Sequence, residues 1–591
     1  MHHATRCLAC RRSLGCASDR RSIRFPTRPL IMPHLTINGV PLEFTKGQSI
    51  IDVALQGGIE IPHYCYHPGL SVPANCRICL AEISQPNPKT GQLEKIPKLM
   101  PTCHTPAAEG MVVTTESPKA VANQKAVMEF LLINHPVDCA VCDQAGECHL
   151  QDYSYEYGRS HSRFQEDKIK NPKKDVGEHV LLYSDRCIMC TRCVRFTKEV
   201  TQTHELMVDG RGGTEMIDVF PGKGLDNELS GNVVDLCPVG ALLDKDFLFQ
   251  QRVWFLKKTP SIDGITASGD NISVEHNEGT VYRVKPRTNL EVNQWWITDE
   301  VRYGWKFVHS EQRLTMPSVR GTPAFDREDP RAAWQTSLAR AVEVLQAGAR
   351  GGRLAALISP MLSCEDAFLL GRFVLGLDPS AVLGVGPIPR SGQDRTLTGG
   401  FTIHSEKAPN ARGVRRVLEA LAASQPARKL PAGVAQVTDA DGFVAALTTA
   451  GAGTVLVTGN YPSAWVTEPM GAALATRRVV LIDTLPTRVN AHAEVMLPSS
   501  TWIEKAGSFE NARGRLQSFE RAILPIDFAK SESQIALELA ALAGQPAADA
   551  FDAARTRAQM ALVTGLEAFA SQVFHPPVSA GRASDMVTVD L

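Results

Sequence analysis

The sequence predicts an α+β N-terminal region followed by a larger α/β region. In the first 250 residues, period-2 alternation and helical periods occur side by side, and eleven of the 15 cysteines lie between residues 65 and 237. Beyond Gln250, short apolar strands alternate with helices rich in Ala and Leu, which is typical of a parallel α/β layer structure. The length of 591 residues allows roughly four domains.

The composition favours a globular, intracellular protein. Hydrophobic residues make up 43% and charged residues 21% of the chain, and the net charge is −1, so neither nucleic acid nor an anionic membrane surface is an expected partner. Apolar stretches such as Val127 to Ile133 are far shorter than the ~18 residues needed to cross a bilayer. Free cysteines in tight CxxC pairs indicate metal ligands in a reducing compartment.

Residues 1–31 contain seven arginines and one acid before Met32. They are either an organelle transit segment or sequence upstream of a start at Met32, and we prefer the second interpretation. The leader repeats one ligand spacing found later in the chain. Because no flanking helix or strand holds these four residues together, we interpret the repeat as chance: His3, Cys7, Cys10 and Cys16.

Residues 32–115 predict the first domain. Leu35 and Ile37 alternate into Asn38-Gly39, a two-residue hairpin signal, and Val40, Leu42 and Phe44 alternate out of it. A capping box at Ser49 and Asp52 begins a helix that Gly57-Gly58 ends. Further strands are predicted at Leu80 to Ile83 and Met111 to Thr115, with an inserted surface hairpin from Gln85 to Lys98. This order resembles a plant-type 2Fe-2S ferredoxin, a β-grasp fold.

A helix is predicted from Lys119 to Asn134 in the second module, residues 116–158. Apolar residues follow a helical period and Pro136 stops the helix, so the helix should deliver His135. These apolar positions are Ala122, Ala126, Val127, Phe130, Leu131 and Ile133. A polar linker from Arg159 to Lys174 separates this module from a third one, residues 176–250.

The chemistry lies in three groups of four residues, each spaced like the ligands of an iron–sulfur cluster. CxxC pairs let two thiolates converge while turn amides point toward an anionic cluster. The first group predicts a 2Fe-2S centre, although its first gap of ten residues exceeds the four of a plant ferredoxin; it consists of Cys65, Cys76, Cys79 and Cys103. Structural zinc is the alternative for this group.

The other two groups each predict a 4Fe-4S centre. In one, a histidine replaces a thiolate and should raise the potential of the cluster; this group is His135, Cys139, Cys142 and Cys148. The other looks like the bacterial ferredoxin run, in which the last cysteine precedes a proline; it is Cys187, Cys190, Cys193 and Cys237, with zinc as the alternative metal.

Together, the three groups and the segment Asp185 to Phe196 (DRCIMCTRCVRF) resemble the largest iron–sulfur subunit in the peripheral arm, the G subunit, of the proton-pumping NADH:quinone oxidoreductase, respiratory complex I. The resemblance runs from about His34 to the C terminus. It implies an electron relay without bond-making catalysis, which receives electrons of NADH through FMN in a partner subunit and passes them toward quinone. It also implies a peripheral position on the cytoplasmic side of the bacterial inner membrane or, alternatively, on the matrix side of the mitochondrial one.

The resemblance continues into a fold shared with molybdopterin oxidoreductases, with residues 251–310 and 311–591 as its two parts. Its late signature matches the segment from Ala493 to Gln517 (AEVMLPSSTWIEKAGSFENARGRLQ). Relatives hold a further 4Fe-4S cluster at the start of this fold, but here the ligand positions carry no thiolate and we expect no cluster; they hold Asp263, Thr266, Asp270 and Thr298.

Cys364 is the last cysteine of the chain and is expected to be a small buried residue. Without a thiolate for molybdenum, the C-terminal half is expected to bind no molybdopterin and to serve docking and structure. No dinucleotide fingerprint follows a predicted strand, so FMN and NAD should bind a partner. The alternative function is an electron-relay (diaphorase) subunit of an NAD-linked hydrogenase or formate dehydrogenase.

Overall fold

A computed structural model describes residues 32–322 and 325–575. The leader, with His3, Cys7, Cys10 and Cys16, therefore lies outside the described residues. The chain divides into two compact units, which are described separately. Of the described residues, the first unit holds 32–61 and 81–120, and the second holds 62–80 and the chain from 121 onward.

The first unit is a mixed sheet with one helix, α1 (Ile50–Gln56). The strand order is β2-β1-β6-β3-β4, with β5 also paired to β3; β1 runs parallel to β6 and antiparallel to β2. The side chains of Leu35, Ile37, Ile50 and Val113 are buried. The strands are β1 (His34–Ile37), β2 (Val40–Glu43), β3 (Leu80–Pro86), β4 (Leu93–Lys95), β5 (Met100–Pro101) and β6 (Val112–Thr114).

The predicted hairpin turn and the predicted helix cap of this unit are both confirmed. Asn38 and Gly39 take positive φ angles of 47° and 84°, the conformation that joins β1 to β2 in a two-residue turn. The side chains of Ser49 and Asp52 form the reciprocal capping box at the start of α1. The polar insertion also forms a hairpin, in which β3 pairs antiparallel with β4.

Helix α2 (Pro118–Leu132) ends earlier than predicted and does not carry His135. The residue before a proline is disfavoured in the α conformation, so His135 and Pro136 continue as a loop. The exposed face also differs from the predicted apolar face, because Ala122, Ala126 and Phe130 are exposed whereas Met128 is buried.

The remaining part of residues 121–250 is built from short helices and two small antiparallel sheets. One sheet has the order β11-β8-β7 and the other pairs β9 with β10. Phe196 of α4 and Val233 of α5 pack with Leu182 and Leu242 into one buried cluster. The elements are α3 (His149–Tyr157), β7 (Lys173–Asp175), β8 (Val180–Tyr183), α4 (Arg192–Glu199), β9 (Leu206–Asp209), β10 (Met216–Val219), α5 (Asn232–Leu236) and β11 (Leu242–Asp244).

Residues 257–303 form a three-stranded antiparallel sheet of order β12-β13-β14, followed by a short helix. Its apolar face, with Ile262, Val274 and Val284, packs in one cluster with Trp502 and Phe509 from late in the chain. The elements are β12 (Lys257–Ile262), β13 (Asn271–Asn277), β14 (Thr280–Pro286) and α6 (Asp299–Tyr303).

The C-terminal half contains the predicted parallel layer structure. Its sheet has six strands, in the order β15 (Ser318–Val319), β22 (Val495–Pro498), β21 (Arg478–Asp483), β20 (Ala452–Thr458), β16 (Arg353–Ile358) and β17 (Val382–Val385). The strands are parallel except β15. Strand β16 is buried on both faces, since Leu354 and Ala356 join one apolar cluster while Ala355 and Leu357 join another. Burial on both faces explains the continuous apolar runs in the sequence.

The described strands and helices of this half complete the fold. They are β15 (Ser318–Val319), α7 (Pro330–Gly351), β16 (Arg353–Ile358), α8 (Cys364–Leu377), β17 (Val382–Val385), β18 (Arg395–Thr396), β19 (Thr402–Ile403), α9 (Ala411–Ala423), α10 (Ala440–Thr449), β20 (Ala452–Thr458), α11 (Glu468–Ala475), β21 (Arg478–Asp483), β22 (Val495–Pro498), β23 (Gly507–Glu510), β24 (Leu516–Phe519), α12 (Glu532–Leu542) and α13 (Ala553–Met560). β18 pairs with β19, and β23 pairs with β24.

Candidate iron–sulfur centres

The loop of residues 62–80 brings Cys65 and Cys76 together. A hydrogen bond with Cys65, added to burial, raises the pKa of the Cys76 thiol. Arg77, between Cys76 and Cys79, has a positive φ of 58°, and its carbonyl accepts a hydrogen bond from Asn123 at 2.9 Å. Cys103, the fourth predicted ligand, is buried in a turn after β5 and belongs to the first compact unit.

The second group lies on the loop between α2 and α3. Cys142 and Cys148 are buried, and Cys139 is exposed. Burial raises the pKa of the Cys148 thiol to about 12. Cys148 also occupies the N-cap position of α3, where the helix dipole favours negative charge.

His135 has the properties of a metal-binding imidazole. Burial, assisted by the charges of Lys168 and Arg186, lowers the pKa of His135 to about 4, so the ring is neutral at physiological pH. Its Nδ1 atom is buried and has no hydrogen-bond partner among the residues that the structure describes. A buried ring nitrogen without a partner is costly, and a metal ion would satisfy it.

The third group surrounds a single apolar cavity. All four cysteines line it, together with the aliphatic side chains of Leu182, Ile217, Val239 and Leu242; the cysteines are Cys187, Cys190, Cys193 and Cys237. Burial raises the pKa of Cys190 to about 11. Thiolates in this cavity would be shielded from water on most sides.

Turn geometry aims main-chain amides at the third group of thiols. Met189 and Thr191, which lie between successive cysteines, have positive φ angles of 51° and 59°. The Met189 amide donates a hydrogen bond to Cys187 Sγ at 3.3 Å. Amides of residues 239, 241 and 242 act on Cys237 and oppose the rise in its pKa that burial causes. Such donors stabilise thiolate and cluster charge, so the donor set fits an iron–sulfur centre.

The third loop contacts both other ligand loops within the second unit. Arg195 donates hydrogen bonds to the carbonyl groups of Cys65 and Cys190, at 2.5 and 3.3 Å. On the other side, the His149 amide, next to Cys148, donates to the Pro238 carbonyl at 3.1 Å. The loop of Cys187 to Cys193, together with Cys237-Pro238, therefore lies between the other two.

Gly240 marks a close approach between the second and third loops. A Cβ atom at this position would lie 2.2 Å from Cys142 Sγ, which no real contact allows. Within the described ranges, no three His, Cys, Asp or Glu side chains are grouped closely enough to hold a single metal ion.

Sequence reasoning missed the arginines that organise these loops. Arg186 is buried, pairs with Asp138 at 3.0 Å and stacks over the ring of Tyr183. Arg192 and Arg195 are also buried. All three lie inside or beside the ligand run 187–193, and their position among tightly spaced ligands was the available signal.

At the four positions where relatives hold the ligands of a further cluster, this chain has buried side chains that carry oxygen atoms. The Asp263 carboxylate accepts hydrogen bonds from the amides of Ile265 and Thr266 and from the Thr266 hydroxyl. Burial raises the pKa of Asp263 to about 6 and that of Asp270 well above its usual value. Thr298 caps α6 by accepting from the Val301 amide. Nearby, a Cβ on Gly264 would lie 2.2 Å from the Trp502 ring.

Cys364 is fully buried at the first position of α8, as expected from the sequence. Its Sγ lies 3.4 Å from the amide side chain of Asn410.

In the part of the chain that the structure describes, none of the helices combines the length and hydropathy required for a bilayer crossing.

Five family models match the chain in succession. A 2Fe-2S iron–sulfur cluster binding domain matches residues 32–118, and the NADH-ubiquinone oxidoreductase-G iron–sulfur binding region matches 124–163. The ferredoxin-like domain of NADH-quinone oxidoreductase subunit 3 matches 177–243, and the NDSU1/NuoG-like 4Fe-4S domain of NADH-ubiquinone oxidoreductase matches 256–306. A molybdopterin oxidoreductase model matches 427–542.

The curated relatives that match this chain are named after NADH dehydrogenase or NADH-quinone oxidoreductase. The mitochondrial NADH dehydrogenase [ubiquinone] iron–sulfur protein 1 of Solanum tuberosum is 42% identical over 309 residues, covering 52% of this chain and 40% of the relative. The G subunit of NADH-quinone oxidoreductase from Rickettsia felis is 37% identical over 339 residues, covering 57% and 48%. The matched region thus spans less than half the length of these relatives.

A solved chain from an NAD+-reducing NiFe-hydrogenase in the H2-reduced state is 25% identical. It covers 37% of this chain and 91% of its own length, with a TM-score of 0.31.

Proposed function

We propose, from the kinship of residues 32–306 with the G-subunit family of NADH-quinone oxidoreductases, that this chain carries electrons from NADH toward quinone. It would do so as a relay subunit that makes and breaks no substrate bond itself. Hydride transfer from NADH would take place in a partner.

The observation that carries this proposal is the contiguity of the three ligand loops. The loop of the third group touches the Cys65 loop through Arg195 and the Cys148 loop through Pro238. Electron transfer between metal centres slows steeply with distance, so successive centres must be close neighbours. Ligand loops in direct contact meet this requirement.

The twelve predicted ligands form three groups, to which we assign different clusters according to ligand chemistry. We assign a 2Fe-2S cluster to the first group and 4Fe-4S clusters to the second and third; such clusters, when bound, accept and release one electron at a time. The buried thiols of Cys190 and Cys193 would hold the metal away from water, and the neutral ring of His135 would supply an uncharged ligand. The Met189 amide places a positive dipole against Cys187.

The proposal includes two absences in the C-terminal half. We assign no cluster to Asp263, Thr266, Asp270 and Thr298, because hard oxygen donors are poor ligands for iron–sulfur clusters, and the Asp263 carboxylate already accepts a hydrogen bond from the Thr266 hydroxyl. We also assign no molybdopterin to the α/β region, and no FMN or NAD to this chain. FMN and NAD would instead bind a partner subunit.

The partners would be the other peripheral-arm subunits of complex I, including the one that binds FMN and NADH. Electron flow through the chain would then be coupled, in the whole complex, to proton translocation. We place the chain peripherally on the cytoplasmic side of a bacterial inner membrane or, alternatively, on the matrix side of the mitochondrial inner membrane. The relatives include both bacterial and mitochondrial proteins.

The test is iron and sulfide analysis of the chain purified without oxygen, combined with low-temperature electron paramagnetic resonance (EPR) after reduction. One binuclear and two tetranuclear clusters require about ten irons per chain. About fourteen irons would show a cluster at the fourth position, and zinc in place of iron would refute the relay.

A further inference from the structure

Two buried arginines lie within or directly after the third ligand run, residues 187–193. Arg192 and Arg195 are three residues apart on α4 and therefore share a face of the helix. Their exposed fractions are 6% and 8%. A guanidinium remains charged at any physiological pH, so two positive charges are buried beside Cys190 and Cys193.

Both side chains connect the third loop with the loop that carries Cys65. Arg192 donates hydrogen bonds to the carbonyl groups of Tyr66 and Leu236, at 2.6 and 3.3 Å. Arg195 donates to the carbonyl groups of Cys65, Cys190 and Ser71 and, through Nε, to the Thr191 hydroxyl. A single nitrogen, Arg195 Nη2, donates hydrogen bonds to the carbonyl groups of both Cys65 and Cys190 and so links the two loops.

Neither guanidinium forms an ion pair with a carboxylate among the described residues. Within the described part of the chain, all their hydrogen bonds go to main-chain carbonyl groups and one hydroxyl, and Arg192 Nε has no partner there. Glu199, which acts on Arg195 through space, is itself bound to the amide and hydroxyl of Ser71. Burial accordingly lowers the pKa of Arg195 from its ordinary value.

A buried cation without a counter-charge is costly in a protein interior. Other buried arginines in the described residues have that counter-charge; Arg313, for example, pairs with Glu504 at 2.9 Å. A cluster bound by cysteine thiolates is anionic and would supply the missing counter-charge. The two arginines are therefore placed where the negative charge of the first and third clusters would fall.

We propose that Arg192 and Arg195 are shared positioning residues of the first and third clusters, which join the two ligand loops and raise both reduction potentials. This inference rests on the proposed function. The positive charge favours the reduced cluster, which carries one more negative charge than the oxidised one. The forked hydrogen bonds keep that charge at a fixed position relative to both loops.

The experiment compares the full chain, purified without oxygen, with Arg195→Gln and Arg195→Lys. Each protein is titrated with a chemical reductant while the binuclear and third-group EPR signals are recorded. We expect Arg195→Gln to make reduction of both clusters at least tenfold less favourable, which is about 59 mV for a one-electron couple. Arg195→Lys retains the charge and should shift both clusters by less than half of that amount.

Two further variants separate charge from stability. Arg192→Gln should shift the same two signals in the same direction, and it replaces Arg195→Gln if that variant fails to assemble its clusters. Arg313→Gln is the matched control, because it removes a buried arginine whose partner is Glu504, and it should leave all midpoints unchanged while lowering stability.

The outcomes are distinct. Wild-type protein without iron and sulfide would overturn the proposed function and this inference together. A wild-type iron and sulfide content as proposed, with unchanged midpoints in Arg195→Gln and Arg192→Gln, would overturn this inference alone. Equal shifts in Arg195→Gln and Arg195→Lys would show that geometry acts without charge, and would also overturn it.

Discussion

Glu147 accepts two hydrogen bonds from Arg283, at 3.0 and 2.9 Å, and this pair connects the second ligand loop with strand β14. Lys285, on the same strand, lies 3.4 Å from Glu147, and Arg283 also bonds Glu275 on β13. Burial favours the protonated form of Glu147, but the charges of Lys285 and Arg283 outweigh it and lower the pKa to about 2. The segment between Cys142 and Cys148 is therefore attached to strand β14 by ion pairs.

Glu147→Gln should destabilise this attachment at neutral pH. The variant loses the charge-assisted bonds while Arg283 keeps Glu275, so we expect a cost of about 2 kcal/mol. Hydrogen exchange of the β13 and β14 amides measures this cost. Exchange rates equal to those of the wild-type protein would contradict the prediction.

The same pair predicts a pH dependence of stability. An unfolded glutamate has a pKa of about 4.3. Since the folded pKa is lower, the contribution of Glu147 is fully present above about pH 4.3 and is lost as the pH falls toward 2. Opening of β13 and β14 should thus become easier on acidification in the wild-type protein, and less so in Glu147→Gln, over this range.

Local signals in the sequence predicted the small elements well. Asn38-Gly39 and the Ser49–Asp52 box each act within a few residues, and the structure has the turn and the cap at these positions. The exposed face of α2 could not be predicted in this way. Phe130 is 74% exposed and Met128 is buried, because the face that a helix buries depends on neighbours far away in the sequence.

The third ligand group shows the same limit: the sequence predicted local features but not contacts between distant residues. Cysteine spacing predicted the third ligand group, and its four cysteines line one cavity. It could not reveal that Arg195 bridges Cys65 and Cys190, because this contact joins residues 130 positions apart. Composition near a ligand run is the nearest sequence signal for such a bridge.

Gly240→Ala should remove the second cluster selectively. The added Cβ would lie 2.2 Å from Cys142 Sγ and 3.2 Å from Gln144 Cβ, so Cys142 must move out of its position. We expect the iron content to fall by about four per chain, with loss of one tetranuclear EPR signal.

Gly213→Ala is the matched control, since a Cβ at Gly213 meets no heavy atom within 4 Å. Its iron content should equal that of the wild-type protein. A full set of EPR signals in Gly240→Ala would show that Cys142 is not a ligand or that the loop adapts freely.

Lys505→Ala should destabilise the α/β region without altering the clusters. Lys505 is buried, lies 2.8 Å from Asp366 and also bonds Glu532, and both carboxylates are buried. Removing the ammonium leaves two buried negative charges without compensation, which costs about 3–5 kcal/mol. Hydrogen exchange in α8 and α12 measures the loss.

The control for Lys505→Ala is Lys530→Ala, in the same region. Lys530 pairs with Glu538 at 2.7 Å, but both side chains are partly exposed, so the cost should stay below about 1 kcal/mol. Similar losses in the two variants would contradict the importance of burial.

His135→Cys should keep a cluster and lower its reduction potential. A thiolate adds one negative charge where the neutral imidazole stands, and the added charge makes reduction less favourable. The measurement is a redox titration of the second-group EPR signal. His161→Cys, which places a thiol on the exposed part of the linker, is the control and should leave the midpoint unchanged. His135 Nδ1 is buried and has no hydrogen-bond partner in the described ranges, so without ligation this nitrogen would be unsatisfied in the wild-type protein. An unchanged midpoint in His135→Cys would therefore remove His135 from the ligands and require another partner for this ring.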